Sequence, residues 1–408
     1  MRGNNFFLIL IVFILLCACG CAYPGSLLPA GSKPEEAEEG TLGKELTSLQ
    51  MEQREGDVVD TARQRYTYEE MTEDIRSLCE LYPECLSYET VGESLDGREI
   101  YKLRLGDPRA DKHIFIDAAI HGREYITAQL IMKLVEEYAS HYHNGRYQNM
   151  TYEDLFGQVC LDIFPMVNPD GVSISQFGEE GLTDETGRKL LRECFERDRK
   201  YLVYQEDGNG TFYWADYYRI PDYDKSALPE KYQKEITFAE YLTHWKSNAR
   251  GVDINDNFDV FWGEADFKSY PSYGAAKGEK PASEPETQIL IKESTKEDYA
   301  CFLHYHSRGQ LIYYDSFGID PETLQASCAI AQKLSEMTGY LPYSTKEHER
   351  DKAGFGDYVH VTLKKPGVTV EIGKDPSPVP VREFPELWEK HRKSWAMLAW
   401  EEVQGSFN

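Results

Sequence analysis

The sequence predicts an α/β protein, with strands and helices alternating so that a sheet is packed on both faces. Three stretches carry that expectation. The apolar run His113 to Ile120 stops at His121-Gly-Arg-Glu124, and from Ile126 the apolar positions fall at Ile126, Leu130, Ile131, Leu134, Val135 and Tyr138, which is helical spacing. Val159 to Val167 and Gly367 to Gly373 are two further apolar runs that read as strands.

The elements follow in order. Arg2, the apolar run Phe6 to Leu16 and the small residues and cysteines after it have the order of a secretory signal, and the run is shorter than the ~20 residues of a membrane span. Leu16-Cys17-Ala18-Cys19 resembles a bacterial lipobox, with Cys19 as the lipidated residue and Cys21 as second choice; a plain signal peptide or an uncleaved anchor is the alternative. Residues 1–21 are thus expected to export the chain to the outer face of a bacterial cytoplasmic membrane. Residues 22–65, rich in Glu, Gly and Ser, read as a flexible acidic tether, and 66–408 as the folded domain. A helix is expected from Tyr68 with Met71, Ile75, Leu78 and Leu81 on one face. A strand then turns at Asp96-Gly97 and returns from Ile100 to Leu105. Asn168-Pro-Asp-Gly171 reads as a turn, and about 172–244 as a long insertion that rims a cleft. Strands resume at Tyr299 to Tyr305 and Leu311 to Tyr314; a helix covers Pro321 to Met337, and a last amphipathic helix runs from Phe384 to Trp400.

Composition narrows the function. A net charge of −26 argues against nucleic acid and against binding an anionic surface by charge, and favours a cationic or zwitterionic substrate. Of nine cysteines, none has zinc-ribbon spacing; Cys79 and Cys85 stand close enough to pair in an oxidising compartment, while Cys160 and Cys301 read as free buried thiols.

His121-Gly-Arg-Glu124 puts two potential metal ligands at the carboxyl end of a strand, where α/β folds place their sites. Tyr305-His-Ser-Arg-Gly309 ends another strand with a second imidazole, and Glu371 interrupts an apolar strand. Two histidines and a carboxylate make a three-ligand zinc site with a position left for water, and a nearby glutamate can move the proton. Spacing alone leaves open whether these residues are a site or ordinary core and surface groups, and whether His304 or His306 is the partner.

The order of the segments resolves this by resemblance. Gly92-Glu-Ser-Leu-Asp-Gly-Arg98, His121-Gly-Arg-Glu124, Asn168-Pro-Asp-Gly171, Gly251-Val-Asp-Ile-Asn255, Ser283-Glu-Pro-Glu-Thr287, His306-Ser307 and Thr369-Val-Glu-Ile372 resemble the zinc metallocarboxypeptidase family from about Tyr66 onward. The resemblance implies one three-layer α/β/α domain with a mixed, mostly parallel sheet of about eight strands. It implies one zinc ion held by His121, Glu124 and His306, with Glu371 as general base and acid. It puts Arg123 and Asn255 at substrate-orienting positions and Lys246, with Arg250 as the alternative, where a cation polarises the scissile carbonyl.

One departure bears on substrate. Digestive-type members have Asn-Arg where this chain has Asn255-Asp256, and that arginine clamps a terminal carboxylate. A unit-charge contact at ~4 Å is worth ~4 kcal/mol at an effective dielectric near 20, so the reversal turns attraction into comparable repulsion. Asn-Asp together with His-Ser-Arg-Gly resembles the γ-D-glutamyl-diaminopimelate peptidases of bacterial cell walls, in which Asp256 would meet an ammonium. The expected protein is a monomeric, exported zinc peptidase acting on a peptide or muropeptide. Rival readings are a carboxypeptidase for basic C-termini, a deacylase, and a non-catalytic module that binds wall peptides.

Overall fold

The computed structural model describes residues 56–206, 212–219, 226, 228–345 and 353–407. The expected export segment at 1–21, with Cys19 and Cys21, lies outside them. None of the described helices is long and apolar enough to cross a membrane. Contacts divide the chain into two units. In Glu196–Ile236 a hairpin pairs Leu202–Glu206 with Phe212–Asp216. Everything described below belongs to the other unit, Met51–Phe195 with Thr237–Asn408.

Its large sheet has eight strands: β1 (Leu86–Glu93), β2 (Glu99–Leu105), β3 (Lys112–Ala118), β4 (Val159–Phe164), β5 (Tyr299–Ser307), β6 (Leu311–Tyr313), β7 (Leu341–Tyr343) and β8 (Gly367–Ile372). They lie in the order β1-β2-β4-β3-β5-β8-β6-β7. The central four, β4, β3, β5 and β8, are parallel, and β6 is parallel to β7. The other neighbours, β1/β2, β2/β4 and β6/β8, are antiparallel. The expected mixed, mostly parallel sheet is therefore present.

Side-chain alternation separates two apolar layers. One face carries Leu103, Ile114, Ile116, Leu161, Leu303 and Val370 against helices α1 (Tyr68–Leu81), α2 (Ile126–Ser140) and α5 (Pro321–Thr338), and two C-terminal helices. The other face carries Ile100, Phe115, Phe164 and Phe302, covered by α4 (Pro285–Glu293) and by Ile254, Phe258, Phe355 and Val359. This is the α/β/α sandwich. Helix α1 begins at Thr67, whose hydroxyl and the Glu70 carboxylate close a capping box. Met71, Ile75 and Leu78 are buried as expected, but Leu81 is exposed.

Five expectations need correction. Asn168-Pro-Asp-Gly171 is not a free turn: Asn168 caps helix α3 (Pro169–Phe177), with Pro169 in its first turn. The first residues of the expected insertion, Val172 to Gln176, are buried in that helix. The tether ends before 65, because Val59 is fully buried, Glu136 accepts from the Val58 and Val59 amides, and Gln129 donates to the Asp60 and Arg63 carbonyls. The final helix is two, α6 (Phe384–His391) and α7 (Ser394–Val403); the buried Ser394 hydroxyl donates to the His391 carbonyl where the axis breaks. Cys79 and Cys85 are unpaired thiols, with Cys85 directed at the Tyr82 carbonyl.

Candidate active site

The parallel centre of the sheet decides where the site forms. β3, β5 and β8 are successive neighbours running the same way, so their carboxyl ends meet at one edge. Strand β3 stops because Ala119 adopts a left-handed φ of 49°, and its amide donates to the Thr127 hydroxyl at 3.0 Å. The turn that follows needs Gly122, where a Cβ would lie 2.3 Å from the Gly171 carbonyl group. Gly171 is equally confined, with Asn168 Nδ2 2.4 Å from its would-be Cβ. Asn168 Nδ2 reaches the Ile120, Lys246 and Ser247 carbonyls, all at 3.1 Å, and so ties the turn to the 246–247 segment.

At this edge His121, Glu124 and His306 are all buried, and their ligand-type atoms lie within 4.8 Å of one another. His121 Nδ1 is 2.9 Å from Glu124 Oε1, His306 Nδ1 is 3.2 Å from Glu124 Oε2, and the two Nδ1 atoms are 3.2 Å apart. His121 Nε2 faces Asp253 Oδ1 at 3.2 Å, so Asp253 can accept the Nε2 proton when Nδ1 serves as the ligand atom. Burial alone would raise the Glu124 carboxyl, but His121 and His306 hold it well below the usual carboxylate range. Burial would likewise lower His121, and Glu124 with Asp253 overcomes that and raises it. The two shifts are the two sides of one attraction: the imidazoles keep Glu124 an anion, and the carboxylates favour positive charge at His121. Two imidazole nitrogens and a carboxylate, oriented from behind by a second carboxylate, are a donor set that suits zinc.

His304 is not part of the group. Its Nδ1 is 2.6 Å from Asp117 Oδ2, one step down the strands from the triad. Glu371 on β8 stands directly opposite His306 on β5 and lines a cavity of about 330 Å³ with His121 and His306. Lys246, Asn255 and Asp256 line the same cavity. Lys246 Nζ is 3.4 Å from Asp253 Oδ2. Burial works against its charge, and the Asp253 carboxylate outweighs this and raises it above the ordinary lysine range. Arg250 faces Glu284 Oε1 at 3.5 Å and lines a different depression, with Leu95 and Leu182. Asn255 Oδ1 accepts from the Phe355 amide at 3.0 Å, so it also holds the far wall.

Sequence reasoning missed Asp253 and Asn168 as working residues. Asp253 touches both His121 and Lys246; the available signal was a carboxylate inside the otherwise apolar Gly-Val-Asp-Ile run. A second buried group of ligand types, His113, Cys160 and Asp162, lies at the start of β3 and on β4. There Asp162 already accepts from Arg104 Nε at 3.0 Å and from the Tyr299 hydroxyl at 2.8 Å, with His113 Nδ1 at 3.3 Å.

Sheet order, the buried triad and the glutamate opposite it define a class. The chain belongs to the zinc carboxypeptidase family, whose sequence model matches residues 71–394. It is a zinc metallopeptidase. Among individual proteins, it is 26% identical over 357 residues to an uncharacterized Bacillus subtilis (strain 168) protein, YqgT, covering 85% of this chain and 82% of that one. It is 24% identical over 331 residues to gamma-D-glutamyl-L-diamino acid endopeptidase 1 of Lysinibacillus sphaericus, covering 80% of this chain and 70% of that one. Among solved structures, carboxypeptidase A of Helicoverpa armigera matches with a TM-score of 0.56 at 17% identity, over 83% of this chain and 73% of that one. The last likeness speaks to the fold alone.

Proposed function

We propose that this peptidase hydrolyses the γ-D-glutamyl–diaminopimelate amide of cell-wall stem peptides, exported and held at the outer face of the membrane by its N-terminal segment. The observation that carries the reading is the charge of the cavity. Asp256, Asp315, Asp357 and Glu371 line it, and Lys246 is its one lysine or arginine among the described residues. A cavity of that sign repels a free C-terminal carboxylate and attracts an ammonium. The relative whose name specifies a diamino acid supports the same reading.

His121, Glu124 and His306 hold a single zinc ion in this reading. When bound, zinc supplies the Lewis acidity that makes water a nucleophile at neutral pH. Glu371 takes the proton from the attacking water and returns it to the leaving amine. Lys246, kept charged by Asp253, stabilises the negative charge that develops on the scissile oxygen. Asn255 orients the substrate, and Asp256 meets the side-chain ammonium of the diamino acid.

The acidic cavity also favours a second reading, removal of C-terminal Lys or Arg from ordinary peptides. One assay separates them: zinc-loaded protein is given stem muropeptides and, separately, a peptide ending in Lys, with products read by mass. The proposal requires release of a diaminopimelate-containing fragment and an intact Lys peptide; the converse pattern overturns it. Asp256→Arg should cost stem-peptide cleavage about 10- to 100-fold. A variant as active as its parent would remove Asp256 from this role.

A further inference from the structure

Within the triad, Glu124 is held from a side that the hydrolytic chemistry does not use. Its Oε2 accepts from the amide of Ser307, the residue after His306, at 3.1 Å. Ser307 is in turn bound by Ser377, in the loop that leaves β8 beyond Glu371. The two hydroxyl oxygens are 2.9 Å apart, and the Ser377 hydroxyl donates to the Ser307 carbonyl at 3.1 Å. Both serines are buried. A hydroxyl has a single proton, so once Ser377 gives its own to the carbonyl, the bond between the hydroxyls runs from Ser307 to Ser377. Ser377 thus grips Ser307 by side chain and carbonyl together, and so fixes the residue whose amide holds Glu124.

The Ser377 loop is itself tied down. The Glu383 carboxylate accepts from the Lys374 and Asp375 amides, each at 2.9 Å, and closes the loop on itself. Gln64 bridges its outer side, donating to the Val379 carbonyl at 3.1 Å and accepting from the Val381 amide at 2.8 Å. Gln64 belongs to the stretch 57–66, which Glu136, Gln129 and Lys133 bind to helix α2. On another side His244 hydrogen-bonds to the Ser377 backbone; burial first and Arg123 second push that imidazole down to about 3.

A carboxylate that can rotate must give up its other orientations when it takes a metal, and that loss weakens binding. Without the Ser377 hydroxyl, the Ser307 hydroxyl and carbonyl would lose this buried partner, and Ser307 would be freer to shift.

We propose that Ser377 is a positioning residue for the zinc site: it acts through Ser307 to aim the Glu124 carboxylate, while Gln64 clamps its loop from outside. This rests on the triad as the zinc site and is independent of which peptide is cut.

The test reads the zinc affinity of the full-length protein, by competition with a chelator of known strength. Ser377→Ala should weaken zinc binding about 10-fold, the lower end of what the supporting partners of metal ligands contribute. Ser377→Thr keeps the hydroxyl and should bind zinc as the parent does. Ser307→Ala should match Ser377→Ala, and the double variant should be no weaker than either, because both remove the same bond. Ser394→Ala is the control for general destabilisation: it removes another buried hydroxyl, one that contacts Tyr305 and the His391 carbonyl. It should lower the thermal midpoint and leave zinc affinity unchanged. Equal affinity in Ser377→Ala and the parent overturns the proposal, and so does an equal loss in Ser377→Ala and Ser394→Ala. Gln64 is exposed, so Gln64→Ala tests the same path even if Ser377→Ala does not fold. It should weaken zinc binding about threefold, the worth of a modest hydrogen bond, and no change overturns the proposal. Zinc retained by His306→Ala would overturn the triad reading itself, and the role of Ser377 with it.

Discussion

The two ends of β3 each gather buried histidine and carboxylate groups, and they settle the charge differently. At the start of the strand, Asp162 faces the Arg104 guanidinium, the Tyr299 hydroxyl and His113. Its negative charge already has a fixed cation and its oxygens have donors. Just past the end of the strand, Glu124 faces two imidazoles whose Nδ1 atoms are 3.2 Å apart, and among the described residues no lysine or arginine pairs with it. Residue types do not separate these groups. What separates them is whether a side chain of the protein supplies the positive charge or the arrangement is left open for an ion. A third buried carboxylate makes the point again. Glu286 has no cationic partner among the described residues, and burial, with Asp170 and Glu284 nearby, raises its carboxyl to about 8, which favours its keeping a proton instead.

The contrast can be broken most decisively by ligand removal. His306→Ala should lose both bound zinc and hydrolysis, while Cys160→Ser should keep a full equivalent of zinc by metal analysis. Zinc lost from the Cys160 variant but kept by the His306 variant would reverse the assignment of the two clusters. Next in size, Glu371→Gln should retain zinc and slow hydrolysis about 10³-fold, as loss of a general base does. Equal hydrolysis by variant and parent, with zinc in both, would sink the assigned mechanism.

A smaller effect belongs to the saturated end of β3. Asp162→Asn leaves Arg104 partly buried without its closest counter-charge and should destabilise the fold by about 3 kcal/mol in denaturant titrations, with zinc content unchanged. The smallest effect concerns pH. The folded pKa of Glu286 lies above its unfolded value of about 4.3, so its contribution is fully present below that value and is lost as pH rises through about 8. Glu286→Gln should therefore flatten part of the fall in thermal stability between about pH 5 and pH 8. A variant whose pH profile runs parallel to the parent's would show that Glu286 is not the group that titrates.

Much of this was legible in the chain. Strand β3 and helix α2 were readable because apolar period two or continuous runs and period 3.6 differ over a dozen residues. Helix α3 was not, because Asn-Pro-Asp-Gly has turn composition and also the composition of a capped helix start. The break between α6 and α7 was hidden because Leu387, Trp388, Trp395 and Leu398 are all buried, and their spacing passes for one helix. Val59 was missed because an isolated apolar pair, Val58-Val59, between two aspartates has no period; the segment is held by Glu136 and Gln129 far along the chain.

The sequence by itself determined the α/β class, the turn that carries His121, Arg123 and Glu124, and the acid at 256 where relatives of digestive type have a base. These are local facts, settled by spacing and by charge. Spacing could not separate His306 from His304, since residues two apart on a strand share a face; the resemblance chose His306, and the tertiary structure gives the physical reason, strand register bringing His306 to the edge beside His121. Tertiary structure alone decided that Asp253 stands behind His121 and that Lys246 and not Arg250 opens on the cavity. Each of these depends on which charges meet across a distance in space, and spacing along a chain does not encode that.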